Sequence, residues 1–279
     1  MHIQRMFLLS TCLMLGAAAA HAADDPQPTR KIEYKQVGDV KLHLHAFEPE
    51  GHTAEDKRPA IVFFFGGGWV GGTPTQFYQQ SAHLAQRGMV AYCAEYRVKS
   101  RNNATPFDCV EDGKSAVRYI REHAKELGVD PERIAAGGGS AGGHVAACTG
   151  VIDGFDAENE DANISSKPAA LVLFNPVIDT GPKGYGYSRL KERYKEISPV
   201  DHVTKATPPT IIFQGDADTT TPVLGARTYN ERMEKLGRRC ELVEFEGAKH
   251  GFFNRGEAFE KTLADTDAFL TSLGYLPEP

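Results

Sequence analysis

Arg133-Ile134-Ala135-Ala136-Gly137-Gly138-Gly139-Ser140-Ala141-Gly142-Gly143 is the stretch that decides the reading of this chain. Arg133 to Ala136 is a short strand-like run, and Ala141 to Val151 reads as a helix of small residues. Between them Gly138-Gly139-Ser140-Ala141-Gly142 matches the pattern G-x-S-x-G. Glycine and serine are common, so the pattern alone is weak, and its setting makes it specific. A strand–turn–helix elbow needs glycines because the serine backbone is strained and neighbouring chains pack closely. The turn presents the hydroxyl at the carboxyl edge of a sheet, over a helix N-terminus whose dipole favours a developing anion. A phosphate-binding glycine turn is the competing reading. A Walker motif, however, needs Gly-Lys-Ser/Thr, and a dinucleotide fingerprint needs a ribose-binding acid downstream. Ser140 is therefore the candidate nucleophile.

Outward from this elbow, strands and helices alternate. Ile32 to Gln36 and Val40 to Phe47 flank Val37-Gly38-Asp39, a hairpin signal. Ala60 to Phe65 is a continuous apolar run, the mark of a strand buried on both faces. A helix starts at Thr73-Pro74 and runs to about Arg87, and Met89 to Tyr96 is a further buried strand. Pro106 to Leu127 is a long amphipathic helix. Ala169 to Phe174, Thr210 to Gln214 and Glu241 to Phe245 are strands, with helical segments near 225–236 and 257–273. Eight strands with an antiparallel start predict an α/β fold, one mostly parallel sheet with helices on both faces. Residues 153–168 and 176–208 are irregular insertions, neither long enough for a second domain.

Composition agrees with an ordinary globular chain: 279 residues, 41% hydrophobic and 24% charged. Lys plus Arg is 31 against 37 for Asp plus Glu, a formal charge of −6, and no basic patch points to nucleic acid. The first 22 residues read as a secretory signal peptide: Arg5 is its basic start, an apolar run follows, and Ala20-His21-Ala22 is its cleavage site. Residues 23–279 are then a single exported domain, secreted or periplasmic, with no further run long enough to span a membrane. Loss of Cys12 with the signal leaves Cys93, Cys109, Cys148 and Cys240, which permit three pairings in an oxidising compartment. Cys93–Cys109 is favoured by position, since a strand end and the next helix start can approach, and buried free thiols are the alternative. No spacing suggests a metal.

A serine nucleophile needs a base, and the base needs an orienting acid. Of 10 histidines, His250 stands in Gly247-Ala248-Lys249-His250-Gly251-Phe252, directly after the last strand. His144 lies one helical turn beyond Ser140, a packing position, and His43 and His45 share one face of an early strand as surface residues. The acid comes from Gln214-Gly215-Asp216-Ala217-Asp218: Asp218 reaches the histidine, and Asp216 braces the turn. The order Ser140, Asp218, His250 follows the fifth, seventh and eighth strands. Phe65-Gly66-Gly67-Gly68-Trp69 closes the third strand. Its consecutive glycines can turn backbone N–H groups inward as oxyanion donors, and Ala141, the residue after the nucleophile, would add another.

These motifs resemble the α/β-hydrolase superfamily, in its bacterial esterase branch related to hormone-sensitive lipase. That branch's His-Gly-Gly-Gly-Phe/Trp signature stands here as Phe65-Gly66-Gly67-Gly68-Trp69, and its Gly-Asp-Ser-Ala-Gly-Gly elbow as Gly138-Gly139-Ser140-Ala141-Gly142-Gly143. Tyr96-Arg97 and Asp112 also match, as structural braces. Phe65 replaces the usual histidine and Gly139 the usual aspartate, and neither change removes a backbone donor. The helical N-terminal cap of that branch is missing, so the likeness shifts toward exported, cap-poor esterases of the acetylxylan and feruloyl type.

The resemblance implies an α/β-hydrolase fold without a large cap domain, a Ser140–Asp218–His250 triad with Gly67, Gly68 and Ala141 as oxyanion donors, and no cofactor or metal. It implies a serine carboxylesterase for short-chain or aromatic acyl esters, carried on a small molecule or a carbohydrate. Trp69, Tyr185 and Tyr187 are the candidate substrate contacts. The alternatives are a prolyl-oligopeptidase-like peptidase, which would need a propeller domain this chain has no room for, a lipase, and an inactive binding protein on the same scaffold.

Overall fold

The computed structural model describes residues 26–278, and the expected signal segment, residues 1–22, lies outside them. The eight-stranded sheet has the order β1-β2-β4-β3-β5-β6-β7-β8. Its strands are β1 (Arg30–Val37), β2 (Val40–Phe47), β3 (Arg58–Phe64), β4 (Val90–Ala94), β5 (Val129–Gly139), β6 (Ala170–Phe174), β7 (Thr210–Gly215) and β8 (Cys240–Phe245). β1–β2 and β2–β4 pair antiparallel and every later pair is parallel. Among the described residues seven α-helices accompany them: α1 (Tyr78–Gln86), α2 (Lys99–Asn102), α3 (Pro106–Glu122), α4 (Ala141–Val151), α5 (Tyr187–Leu190), α6 (Val223–Lys235) and α7 (Gly256–Ser272).

The apolar run of β3 explains the layering. Successive side chains leave a strand on opposite faces. Val62 and Phe64 join a core with Val117 of α3, Val145 of α4 and Met233 of α6. Ile61 and Phe63 join the other core, with Leu84 of α1 and Phe269 of α7. A strand covered on both sides has no polar face to show, which is why its sequence does not alternate.

Local signals set the helix starts. Thr105 accepts the Asp108 N–H while the Asp108 carboxylate accepts the Thr105 N–H at 2.7 Å, a capping box with Pro106 at the first helical position. α3 ends at Glu122 rather than at the expected Leu127. The chain must turn back there to seat Val129 beside Arg58, so β5 also starts earlier than Arg133. The expected helix from Pro74 begins as a 3₁₀ turn, Pro74–Phe77, before α1.

Two expectations fail for reasons of facing. Cys93 and Cys109 do not approach each other: Cys93 lies in the α1–α7 core beside Ser81 Oγ at 3.1 Å, and Cys109 lies in the opposite core. Its thiol donates to the carbonyls of Arg97 and Thr105. The sheet separates them, and all four cysteines among the described residues are free thiols. His45 is buried rather than at the surface: its Nε2 donates to Glu95 Oε1 at 3.1 Å and its Nδ1 accepts from Tyr78 Oη at 2.5 Å. His43 donates to Glu95 Oε2 from both its N–H and its Nδ1, each at 3.0 Å. Glu95 thus pins β2 to the end of β4.

Burial alone would raise the Glu95 carboxyl, but hydrogen bonds from His45 and His43 outweigh it and hold it near about 2. In an unfolded chain a glutamate titrates at about 4.3. The folded value is the lower one, so the contribution is present above that pH and is lost as pH falls toward 2. Glu95→Gln should cost about 1–2 kcal/mol at pH 7, discounted for partial exposure. It should also flatten the loss of stability between about pH 4 and 2. Urea unfolding at pH 7 and pH 3 checks this, and equal acid sensitivity in both proteins would contradict it.

Candidate active site

The parallel registers align the strand ends. Phe64 pairs with Gly138, Gly139 with Phe174, Phe174 with Phe213, and Gly215 with Phe245. The loops after β3, β5, β6, β7 and β8 therefore leave the same edge, where ligand crevices form in α/β sheets.

Ser140 stands between β5 and α4 at φ 54°, ψ −119°, a conformation that side-chain-bearing residues rarely adopt. Its N–H is taken by the Phe174 carbonyl at 2.9 Å, and its own carbonyl accepts Val177 N–H at 3.1 Å. Gly142 is a glycine because a Cβ there would lie 2.0 Å from the Phe64 carbonyl oxygen. α4 can then begin directly against the end of β3.

Ser140 Oγ lies 2.9 Å from His250 Nε2, and His250 Nδ1 lies 2.7 Å from Asp218 Oδ2. With Nδ1–H donating to the carboxylate, the Nε2 lone pair faces the serine hydroxyl. Asp218 is buried, and burial would raise its carboxyl. Hydrogen bonds from His250, from the Thr221 N–H and from the Thr221 hydroxyl reverse that and lower it. Oδ1 also accepts the Thr220 N–H at 2.8 Å. Asp216 turns elsewhere: its Oδ1 accepts the Gly247 N–H at 2.6 Å and joins the loop after β7 to the loop after β8.

Gly67 and Gly68 follow β3 at φ 127° and 61°. The Gly67 carbonyl accepts the N–H groups of Val70 and Gly71, at 3.0 and 3.2 Å. Peptide planarity turns the Gly68 N–H of that same peptide the opposite way. No internal acceptor among the described residues takes the N–H of Gly67, Gly68 or Ala141. Three donors remain open around the start of α4.

Two substitutions at this edge have structural counterparts. Phe65 stacks on Tyr96 with ring centroids 4.2 Å apart, and Tyr96 Oη donates to the Phe65 carbonyl at 2.6 Å. The glycine loop is further held by Gln76 Oε1, which accepts the Gly66 N–H at 2.6 Å. At Gly139 a Cβ would lie 2.5 Å from Phe253 Cζ, so an aromatic ring fills the place of the usual aspartate.

The three expected substrate contacts part company. Trp69 is 1% exposed, with its ring against His144 and Tyr185, so it supports the loop from behind and offers no face to a substrate. Tyr185 stands at the front, its hydroxyl against Gly68. Arg189 donates to the Gly68 carbonyl and lies over both rings. Tyr187 packs edge-on against Tyr194 at 5.5 Å. A cavity of about 390 Å³ opens between residues 176–185 and 221–232, with Asp179, Tyr185, Tyr194, Leu224 and Arg232 in its walls; Ser140 and His250 do not line it. His144 packs as expected: Nε2 bonds the Ile197 carbonyl at 2.7 Å, and burial pushes the ring down to about 4. Among the described residues no group of three His, Cys, Asp or Glu is placed for a metal, and no helix is long and apolar enough to cross a membrane.

Sequence reading missed Thr221, Gln76, Asn175 and Tyr194. Asp218 is followed by three threonines, a sign of side-chain turn bonding, and Asn175-Pro176 marks a strand end. Gln76 and Tyr194 carry no local signal.

Sheet order, elbow and hydrogen-bonded Ser–His–Asp chain define the class, an α/β-hydrolase. The BD-FAE family model matches residues 47–233, and the chain belongs to that family. The chain is similar to the apo form of Thermogutta terrifontis esterase 2, with TM-score 0.87 and 47% identity over 93% of this chain and 99% of that one. It is 26% identical over 261 residues to an acetylxylan esterase of Xylanibacter ruminicola, covering 88% of this chain and 50% of that protein. It is 27% identical over 215 residues to esterase LipC of Mycobacterium tuberculosis, covering 70% and 53%. The chain spans about half the length of these two curated relatives.

Gly139→Asp should destabilise by about 1–3 kcal/mol, because the new side chain and the Phe253 ring compete for one space. The cost should shrink in a Phe253→Leu background. Denaturant midpoints of the four variants of this cycle check it, and strict additivity would refute the steric account.

Proposed function

We propose that the chain is an exported serine carboxylesterase acting on short-chain or aromatic acyl esters of a hydroxyl-rich alcohol such as a carbohydrate. The single observation that carries this is the continuous bond chain from Ser140 Oγ through His250 to Asp218, set at the N-terminus of α4. His250 Nε2 takes the Ser140 proton as Oγ attacks the ester carbonyl. The N–H groups of Gly67, Gly68 and Ala141 receive the negative charge on the carbonyl oxygen. Such donors act before any reorganisation and are worth about 3–4 kcal/mol each. His250 then passes its proton to the leaving alcohol, and water repeats the sequence on the acyl-enzyme. Asp218 keeps the imidazole in the Nδ1–H tautomer throughout.

The cavity borders the site through Tyr185, whose hydroxyl lies against Gly68, and through Thr221, which bonds Asp218, and its lining supports the substrate reading. Asp179 offers a carboxylate acceptor and Tyr185 and Tyr194 offer rings, a combination suited to hydroxyl groups on a flat sugar face. Leu224, 61% exposed, is its one large open apolar side chain. Structures of the Thermogutta esterase carry propionate and butyrate, both short acyl groups. The export reading rests on residues 1–22, which place the enzyme in the periplasm or outside the cell.

Ser140→Ala should fold normally and lose at least about three orders of magnitude in kcat. Asp218→Asn should cost far more kcat than Asp216→Asn, which should act on stability. Turnover abolished by Asp216→Asn in a folded enzyme would exchange the two roles. Across aryl esters of increasing acyl length, kcat/KM should peak at the short end, with turnover of an acetylated xylo-oligosaccharide. A maximum at about ten carbons or more, without oligosaccharide turnover, would move the protein to the lipase reading, since each buried CH₂ contributes about 0.8 kcal/mol.

A further inference from the structure

The peptide group on either side of Gly251, directly after His250, is held by side-chain amides. The Gly251 N–H donates to Asn175 Oδ1 at 2.9 Å. The Gly251 carbonyl accepts from Asn254 Nδ2, also at 2.9 Å. Asn254 Oδ1 in turn accepts from Gln76 Nε2 at 3.1 Å, and Gln76 Oε1 accepts the Gly66 N–H at 2.6 Å. This is an unbroken relay from the glycine loop after β3 to the histidine loop after β8. Those strands are not neighbours: β5, β6 and β7 lie between them. No ladder bond can therefore set the distance between the two loops.

The relay has one orientation. Gly66 N–H is a donor, so Gln76 must turn its oxygen toward it and its NH₂ outward. Asn254 must then turn its oxygen to Gln76, which leaves its NH₂ for the Gly251 carbonyl. Flipping any one amide would set donor against donor or acceptor against acceptor at both of its links. At the far end, Asn175 lies next to the acid's support: the Thr221 hydroxyl, which donates to Asp218 Oδ2 at 2.7 Å, sits 3.2 Å from the Asn175 carbonyl.

Asn175 carries costs that packing alone does not explain. It is fully buried at φ 33°, and its Nδ2 has no hydrogen-bond partner. An apolar side chain of the same size would avoid leaving that group unsatisfied. What only an acceptor at this position supplies is the bond to Gly251.

We propose that Gln76, Asn254 and Asn175 are positioning residues for ester hydrolysis, an amide relay that holds His250 and the oxyanion glycines at a fixed mutual distance. The proposal rests on the Ser140–His250–Asp218 reading. A shift of about 1 Å in such a constellation costs on the order of 100-fold in rate. The ester cleft itself is untouched, so the loss falls on kcat rather than KM.

The test uses the whole chain and an aryl acetate, with kcat expressed per site titrated by paraoxon. Asn175→Ala and Gln76→Leu should each lower kcat about 10- to 100-fold with KM within about threefold. A Gln76→Leu/Asn254→Leu double variant should be no worse than the more damaging of its two singles, because either break interrupts the path from Gly66 to Gly251. Asn175→Asp, which keeps an acceptor for Gly251 N–H, should recover most of the lost kcat. Should Asn175→Ala not fold, Gln76→Leu, on the partly open side, decides alone. Single variants within twofold of the parent kcat, or losses that multiply in the double variant, would overturn the relay. Ser140→Ala measured alongside separates the failures: an active Ser140→Ala rejects the nucleophile, whereas an inactive one with full Gln76→Leu activity rejects only the relay.

Discussion

The contact between α4 and the end of β3 is the constraint on which the rest depends. A Cβ at Gly142 would sit 2.0 Å from the Phe64 carbonyl and 2.4 Å from that of Phe65, so only glycine lets the helix begin so close to that strand. That closeness brings the first turn of α4, with Ser140 at its positive φ, against the end of β3 from which the glycine loop leaves. The strained serine backbone is held by bonds from both sides, to Phe174 and Val177, so its cost is offset by the surrounding sheet.

Around this elbow aromatic packing stands where polar bracing is usual. Phe65 stacks on Tyr96, and Phe253 lies against both Phe77 and Phe174 with centroids 5.8 and 4.9 Å apart. Rings packed in this way resist displacement because the whole interior is close-packed. The polar work of fixing the loops passes to groups one step further out: Gln76, Tyr96 and Asp216 each bind a backbone group of a loop. A site can therefore lose two polar family residues and keep its backbone geometry.

Most of the charged pairs act as clamps outside the Ser140 site. Arg97 binds Asp112 and Glu111 and fastens the loop after β4 to α3. Lys114 and Arg118 of α3 both reach Asp156 and so hold the 153–168 insertion over the sheet's flank. Such pairs are expensive to bury, and these are satisfied by several partners each. The other insertion, residues 176–208, is tied by Arg189 to the Gly68 carbonyl instead. That contact brings Tyr185 to the front of the site and leaves Trp69 behind it.

The sequence by itself determined the eight strands, the parallel core, the elbow at Ser140, and the three residues that meet there. Each of these rests on local information. Buried strands read as apolar runs, turns need glycine, and loops at strand ends announce themselves by composition. It also separated Asp218 from Asp216 by position in the loop. The tertiary structure decided what depends on facing and on distance across the sheet. Cys93 and Cys109 are near in sequence and lie on opposite sides of β4's sheet, which period-2 alternation settles only once the strand's register is known. His45 is buried because Glu95 and Tyr78 arrive from two other elements. Gln76, Asn175 and Asn254 form one hydrogen-bonded relay although up to 178 residues separate consecutive members. No local pattern encodes such a bond, because its geometry exists only after β3, β6 and β8 have taken their places in the sheet.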